Sequence, residues 1–539
     1  MALVVVADGA DAAAPRVKAV AAVLRRASQI PSPSTCLSVR SSQTAGTEPS
    51  FGAFMTPEQY ADPASGGLSS RHRLVILLLL ASAFVAILNE TTMAVALPRL
   101  MSDLEISATA AQWLTTAFML TMAVVIPVTG YLIQRLNTRP VFILAMSLFS
   151  LGTLICGLAP DFAVLVAGRV VQASGTAILM PLLMTTIMTL VPAAARGKFM
   201  GNISIVISVA PALGPTLSGL ILSGLGWRWI FFLILPIALV ALLVGARRIE
   251  NVSVPTKAPM DVASVALAAI GFGAFVYGLS GLGEAAVHAG ASSPWPALLG
   301  GAAVIGLFVR RQLRLQTQGR ALLNLQTLKV ETFRTATAVM VLLMMAMLGV
   351  FILLPIYLQS VLGLSTLRTG LLLLPGGLIM GLCAPTVGSM YDRFGPRPVV
   401  IPGAALFAAV MVALAFVRQD TPVMALLAGH VVLSVGLALM FTPLFTLSLG
   451  ALPASLYSHG SAVLGTTQQV AGAAGVALFV AVMTWRAGAM TAAGLDEATA
   501  IAGGIQAAFA CGAVLAIAAF AMAFRLRSSG PPATTHAGG

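Results

Sequence analysis

Hydrophobic residues run through this chain in long unbroken blocks separated by short polar gaps. The blocks fall near 74–98, 112–133, 140–159, 162–190, 199–223, 227–246, 262–282, 297–312, 334–359, 369–390, 398–417, 421–448, 460–485 and 505–525. Most approach the roughly 20 residues that a helix needs to cross hydrocarbon. A membrane β-barrel would instead alternate apolar and polar positions in strands of about ten residues. The pattern therefore predicts an all-α polytopic membrane protein of about fourteen spans, with 297–312 the shortest.

Composition agrees with this reading. Only 9% of the 539 residues are charged and 58% are hydrophobic, whereas soluble domains carry about 25% charged residues. Aromatic residues make up just 6%, so the apolar excess is Leu, Ala, Val, Ile and Met, which suit long helices in lipid. The four cysteines, Cys36, Cys156, Cys383 and Cys511, are far apart in sequence and suggest neither a disulfide framework nor a zinc site.

The net charge of +13 could signal nucleic acid, but no basic stripe carries interleaved aromatics. The cations instead lie in the gaps. Counted alternately, one set of gaps holds 19 Lys and Arg residues and the other five. By the positive-inside rule this bias predicts cytoplasmic N- and C-termini in a plasma-membrane protein, and an even number of spans. A lipid bilayer is thus the expected surrounding, and nucleic acid is not an expected partner.

Residues 1–70 differ from the rest, being rich in Ser, Pro, Ala and Thr, with a basic, acid-poor stretch from Arg16 to Arg40. Asp8 and Asp11 interrupt the Val-rich start, so no signal-peptide core is present. The expectation is a disordered extension, either an organelle-targeting peptide or sequence lying before a true initiator at Met55. The remaining division is 71–250 for a first six-helix half and 251–330 for two extra spans with a cytoplasmic linker. A second six-helix half follows at 331–527, and 528–539 is a disordered tail.

An internal repeat supports the two halves. Gly130, Gln134, Arg135, Asn137 and Arg139 follow the second block with the same spacing as Gly388, Asp392, Arg393, Gly395 and Arg397 after the tenth. Gly and Asn take left-handed backbone most readily, so the same tight turn is predicted in both copies. Paired halves around a midplane site are the architecture of secondary transporters.

Within the blocks the polar exceptions are few. Glu90 is the one acidic residue placed inside a span. A charged carboxylate in lipid is costly, which suits Glu90 to loading and releasing protons; bracing a neighbouring helix is the alternative role. Arg169 is the one basic residue so placed. It keeps its charge and needs an anion, a carbonyl or water as partner. Asn89 points about 100° away from Glu90 around the helix, and Gln172 shares a face with Arg169. Gln112, Trp113, Gln359, Gln468 and Gln469 are further candidates for a substrate cavity, while His430 reads as a packing residue. Pro211, Gly214, Pro215 and Gly219 crowd one block, where proline bends a helix and glycine admits a close neighbour. Asp392, Arg393 and Arg397 would form a gate-side latch, with Arg135 and Arg139 at the matching place in the first copy.

The Gly-x-x-x-Asp-Arg-x-Gly-x-Arg run at 388–397 resembles the loop signature of the major facilitator superfamily. Further stretches are similar to its 14-span drug/proton antiporter branch. They are Leu88-Asn89-Glu90-Thr91 through Pro98, Arg169 to Gly175, Ala210 to Gly219, and His459-Gly460-Ser461-Ala462 through Gly472. The Leu-Asn-Glu-Thr and Gln134-Arg135 variants are similar to the lincomycin-resistance group of exporters. Two positions depart from the branch: it usually has Asp where Asn89 stands, with the acid here shifted to Glu90, and its first loop has Asp where Gln134 stands. The resemblance implies a major facilitator fold and a proton-coupled antiporter exporting lipophilic or amphiphilic compounds, with two extra helices between the halves. It also implies that Arg169 couples protonation to conformational change and that the Pro211–Gly219 run is an antiporter signature.

Such a protein is expected to work as a monomer, with small molecules and protons as its partners. It would use no cofactor, the proton gradient supplying the energy; no phosphate-binding Gly-x-x-x-x-Gly-Lys loop is present. A symporter taking up a metabolite is the alternative within transport, and a non-transporting receptor or scaffold the alternative outside it. An enzyme is not expected, since no His, Asp or Cys cluster gathers at an interface.

Overall fold

Each apolar block becomes one helix, because a chain in hydrocarbon satisfies its backbone groups only within a helix or a closed barrel. The computed structural model describes residues 69–106, 108–252, 261–287 and 293–526, all within one unit spanning 55–539. The expectations for residues 1–68 and 527–539, including the Met55 start, lie outside the described residues, as do the side chains of Gln112 and Pro215.

The first half holds α1 (Ser70–Asp103), α2 (Ala108–Arg135), α3 (Thr138–Leu158), α4 (Phe162–Leu190), α5 (Arg196–Gly224) and α6 (Arg228–Arg248). Then come α7 (Val262–Val287) and α8 (Trp295–Leu315). The second half holds α9 (Glu331–Ile356), α10 (Thr366–Phe394), α11 (Arg397–Leu414), α12 (Val423–Gly450), α13 (Tyr457–Ala492) and α14 (Glu497–Ala523). Successive helices run antiparallel, so Ser70 and Leu526 lie at one end of the bundle, called here the termini end. Arg397 Nε, at the start of α11, donates to the Leu526 carbonyl across that end at 2.6 Å.

Twelve helices among the described residues are long and apolar enough to cross a membrane. The other two long helices are α5, where several side chains are not described, and α8, whose last turns carry Arg310, Arg311 and Arg314.

In the first half α3 packs on α4 and α1 on α5; in the second, α12 packs on both α10 and α11, and α13 on α9 and α14. The halves meet where α5 packs on α10 and where α2 and α4 pack on α13. Helix α7 lies against both α2 and α13, spanning the seam between halves, while α8 packs outside it on α7. The pair is clamped at the termini end. Asp261, just before α7, accepts from Arg311 Nε at 2.6 Å and Nη2 at 2.8 Å. Buried Gln312 donates to Ser264 Oγ at 2.7 Å and accepts from the Leu323 amide at 3.1 Å.

The repeat extends to packing but not to turn geometry. Gly395 has φ +81° and closes α10 as expected. Asn137 instead sits in extended backbone, φ −68° and ψ 161°, directly before α3. Helix α2 ends at Arg135 and α3 starts at Thr138, so that chain reverses without a left-handed residue.

Candidate functional site

The charged residues of the spans come together on α1 and α4. Arg169 is 1% exposed, about 10 Å along α4 from its far-end start at 1.5 Å per residue. Its Nη1 donates to Gln172 Oε1 at 2.7 Å and to Asn89 Oδ1 at 3.3 Å. Gln172 in turn donates to Thr153 Oγ1 on α3 at 2.7 Å, and the guanidinium carbon stands 4.1 Å from the centroid of the Phe118 ring on α2. Four helices thus hold one cation that lipid would otherwise reject.

The site has donors to spare. Arg169 Nε and Asn89 Nδ2 are buried without a partner. Glu90 is the complementary group. It is only partly buried, and its carboxylate makes no hydrogen bond or ion pair with any described residue. It directly follows Asn89, the residue of α1 that accepts from Arg169. Acceptor and donors are adjacent but unjoined, an arrangement that a proton or a side-chain rotation could switch.

The described residues read as a substrate cavity differ in their surroundings. Asn89 and Gln172 are buried as braces of Arg169. Trp113 is 39% exposed and stacks on Tyr277 of α7, centroids 5.8 Å apart. Gln359 is exposed in the π-helical turn Tyr357–Val361 beyond α9. Gln468 and Gln469 are part-buried along α13, with Gln468 Nε2 lacking a partner. His430 lies against Gly376, and its Nε2 stands 3.1 Å from the Leu373 carbonyl.

In α5, Gly214 meets α1. A Cβ there would fall 2.3 Å from Thr91 Oγ1, and Thr91 Oγ1 reaches the Ala210 carbonyl at 3.5 Å. Gly219 corrects the expectation of close approach, because it faces open space on an exposed part of the helix.

At the termini end the halves are locked together. Asp392 Oδ1 and Oδ2 accept from the Gly197 and Lys198 amides at 2.7 and 2.9 Å. These N–H groups belong to the first turn of α5 and have no partner within their own helix. Beneath them Gly388 and Gly197 touch backbone to backbone, a Cβ on Gly388 falling 2.1 Å from the Gly197 carbonyl. Ser204 and Thr442 pair at 2.6 Å, and Thr185 and Ser461 at 2.9 Å. The expected three-residue latch is corrected: of Asp392, Arg393 and Arg397, only Asp392 bonds across the halves here. Arg393 stacks on its neighbour Phe394, and Arg397 binds the carbonyls of Leu526 and Phe524 within its own half, where helix-end carbonyls need donors. Arg135 and Arg139 are exposed, and the Arg139 amide donates to Asn251 Oδ1 at 3.2 Å.

Sequence reasoning missed Thr153 and Phe118, a threonine and an aromatic among many in the spans. It also missed Gly197, although Pro192 to Gly197 and Pro453 to Ser458 each read as a proline, a short turn and a helix start.

Known proteins share this architecture. The human organic anion transporter MFSD10 superposes with TM-score 0.60 at 16% identity, over 84% of this chain and 99% of that one. The proton:xylose symporter XylE does so with TM-score 0.57 at 17% identity, over 85% and 96%. In sequence, the chain is 38% identical over 458 residues to the lincomycin resistance protein LmrB of Listeria monocytogenes, covering 84% of this chain and 96% of that protein. It is 38% identical to LmrB of Bacillus subtilis, over 76% and 85%, and 29% identical to a multidrug resistance protein B homolog of Mycobacterium tuberculosis, over 79% of each. The family model described as Major Facilitator Superfamily matches residues 79–476, and with two halves, a repeated loop and relatives of nearly full length, the chain belongs to that superfamily.

Proposed function

We propose that this protein is a proton-coupled antiporter that exports small lipophilic or amphiphilic compounds, antibiotics among them, across the plasma membrane. All fourteen helices would cross the bilayer, both termini would be cytoplasmic, and the monomer would be the working unit. The observation that carries the proton coupling is the unjoined pair: a part-buried Glu90 next to Asn89, and a buried Arg169 with an orphan N–H. The lincomycin and multidrug resistance proteins among its relatives support the substrate class.

The cycle follows from charge. With the termini end closed, Glu90 takes up a proton from the far, outer side, and its attraction to Arg169 falls away. The unpartnered donors of Arg169 and Asn89 reorganise, substrate leaves outward, and the Asp392 latch opens. From the inward-open state Glu90 gives its proton to the cytoplasm and substrate enters. Electroneutral Glu90→Gln mimics the protonated form permanently, so substrate still binds but the gradient no longer drives it. The test is lincomycin accumulation in everted vesicles under an imposed pH gradient: Glu90→Gln should lose gradient-driven uptake, with Glu90→Asp keeping part of it. Normal uptake by Glu90→Gln would refute the assignment.

A further inference from the structure

The two copies of the repeated loop face helix starts of the same kind. Helix α5 begins after the short turn Ala193–Ala195, and α13 after Ala454–Leu456. Gly388 of one copy touches Gly197 on α5, while Gly130 of the other lies against Ser458, His459 and Ala462 on α13. Over α5, Asp392 supplies a carboxylate to the second and third amides. The residue at the same place over α13 is Gln134, whose Nε2 donates instead to the Ser455 carbonyl at 3.1 Å. The first turn of α13 has neither a capping side chain nor an acidic residue.

A cavity of about 290 Å³ lies beside Gln134 and the start of α13, just below the usual ~300–1,000 Å³ range for ligand pockets. Tyr131, Gln134, Ser455 and His459 line one side, and Gln316 and Asn324 of the linker line the other. No Asp or Glu lines it. His459 is 5% exposed and its Nδ1 has no partner. It is the third residue of α13, as Lys198 is of α5. Gln316 also lines the cavity, and its carboxamide carries an N–H donor. The positive end of a 36-residue helix points toward this space, and the Arg196 guanidinium stands 5.5 Å from the Tyr457 ring centroid at the start of α13.

We propose that this cavity binds a small soluble oxyanion, of the phosphate or carboxylate class. The bound anion replaces in trans the charge that Asp392 provides in cis, and so adds to the Gln134–Ser455 bond that already joins the halves there. Its walls come from both halves and from the linker, so opening the termini end dismantles the site. An intracellular anion therefore biases the protein toward the state closed on that side. The site is independent of which compound is exported and of what drives export.

The test uses the full chain in nanodiscs of zwitterionic lipid, with inorganic phosphate as probe and chloride at equal ionic strength as control. Melting temperature reports binding, and spin-label distances between the termini ends of the halves report closure. Millimolar phosphate should raise the melting temperature and the closed population of the unmodified protein. Gln134→Asp should be closed without phosphate and should lose the response. His459→Leu should weaken the response about tenfold. An unmodified protein that does not distinguish phosphate from chloride overturns the proposal, as does a full response retained in Gln134→Asp. Closure without phosphate in phosphatidylglycerol nanodiscs would assign the site to a lipid headgroup and overturn the soluble ligand. Neither readout involves transport, so failure of the antiporter reading would leave this result standing.

Discussion

Asp392→Asn isolates the contact that holds the halves closed at the termini end. The carboxylate accepts two backbone N–H bonds at 2.7 and 2.9 Å from the first turn of α5. Hydrogen bonds to a charged group contribute about 1.5–3 kcal/mol each when buried, and loss of a helix N-cap costs about 0.5–2 kcal/mol. Asp392 is only part-buried and Asn retains one acceptor, so the lower range applies. The amide nitrogen, however, now faces a backbone donor. A net loss of about 1–2 kcal/mol from the closed state changes the open-to-closed ratio by roughly 5–30-fold. The fold should persist, because the open state does without the latch. Spin labels on the termini ends of α5 and α10 would read the distribution directly. A ratio within twofold of the unmodified protein, with the fold intact, would show that Asp392 is an ordinary loop residue.

Other outcomes follow from the same geometry. Gly388→Ala places a Cβ 2.1 Å from the Gly197 carbonyl, a clash with backbone, and should open the termini end at least as far as Asp392→Asn in the same distance measurement. On α5, Gly214→Ala meets Thr91 at 2.3 Å and should cost about 1–3 kcal/mol as overpacking does. Gly219→Ala meets nothing and should melt and transport as the unmodified protein does. At the α7–α8 clamp, Arg311 bonds hold the Asp261 carboxyl well below the usual carboxylate range, with the Ser264 bond assisting. A depressed folded-state value stabilises the fold above the unfolded value of about 3.9 and loses that contribution as pH falls toward the folded one. Asp261→Asn should therefore melt below the unmodified protein at pH 5–7, and the difference should shrink below pH 4.

The hydrophobic pattern placed every helix but understated most of them. The block at 74–98 is the middle of Ser70–Asp103, and 460–485 the middle of Tyr457–Ala492. Hydropathy marks the lipid-facing stretch, while backbone hydrogen bonding carries each helix on into the interface. Glu90 and Arg169 were legible because a charge in an apolar run stands out. Their surroundings were not, since Thr153 and Phe118 are ordinary residues until the α2, α3 and α4 packing brings them to Gln172 and the guanidinium. The loop signature pointed to Asp392 but not to its partners, which lie 195 and 194 residues away in sequence. It also grouped Arg393 and Arg397 with that latch, whereas their contacts here lie within their own half. Gln134 looked like a weakened copy of Asp392, and the fold shows what its change of chemistry leaves at the start of α13: a polar cavity.

Proton coupling through Glu90 is most directly tested by proton movement itself. Proteoliposomes holding the purified protein and a trapped pH dye would be given lincomycin on the side from which it is taken up, with no gradient imposed. The unmodified protein should move protons against the drug, Glu90→Gln should bind drug but move none, and Arg169→Gln should move few. Drug-evoked proton movement at the unmodified rate in Glu90→Gln would contradict the account.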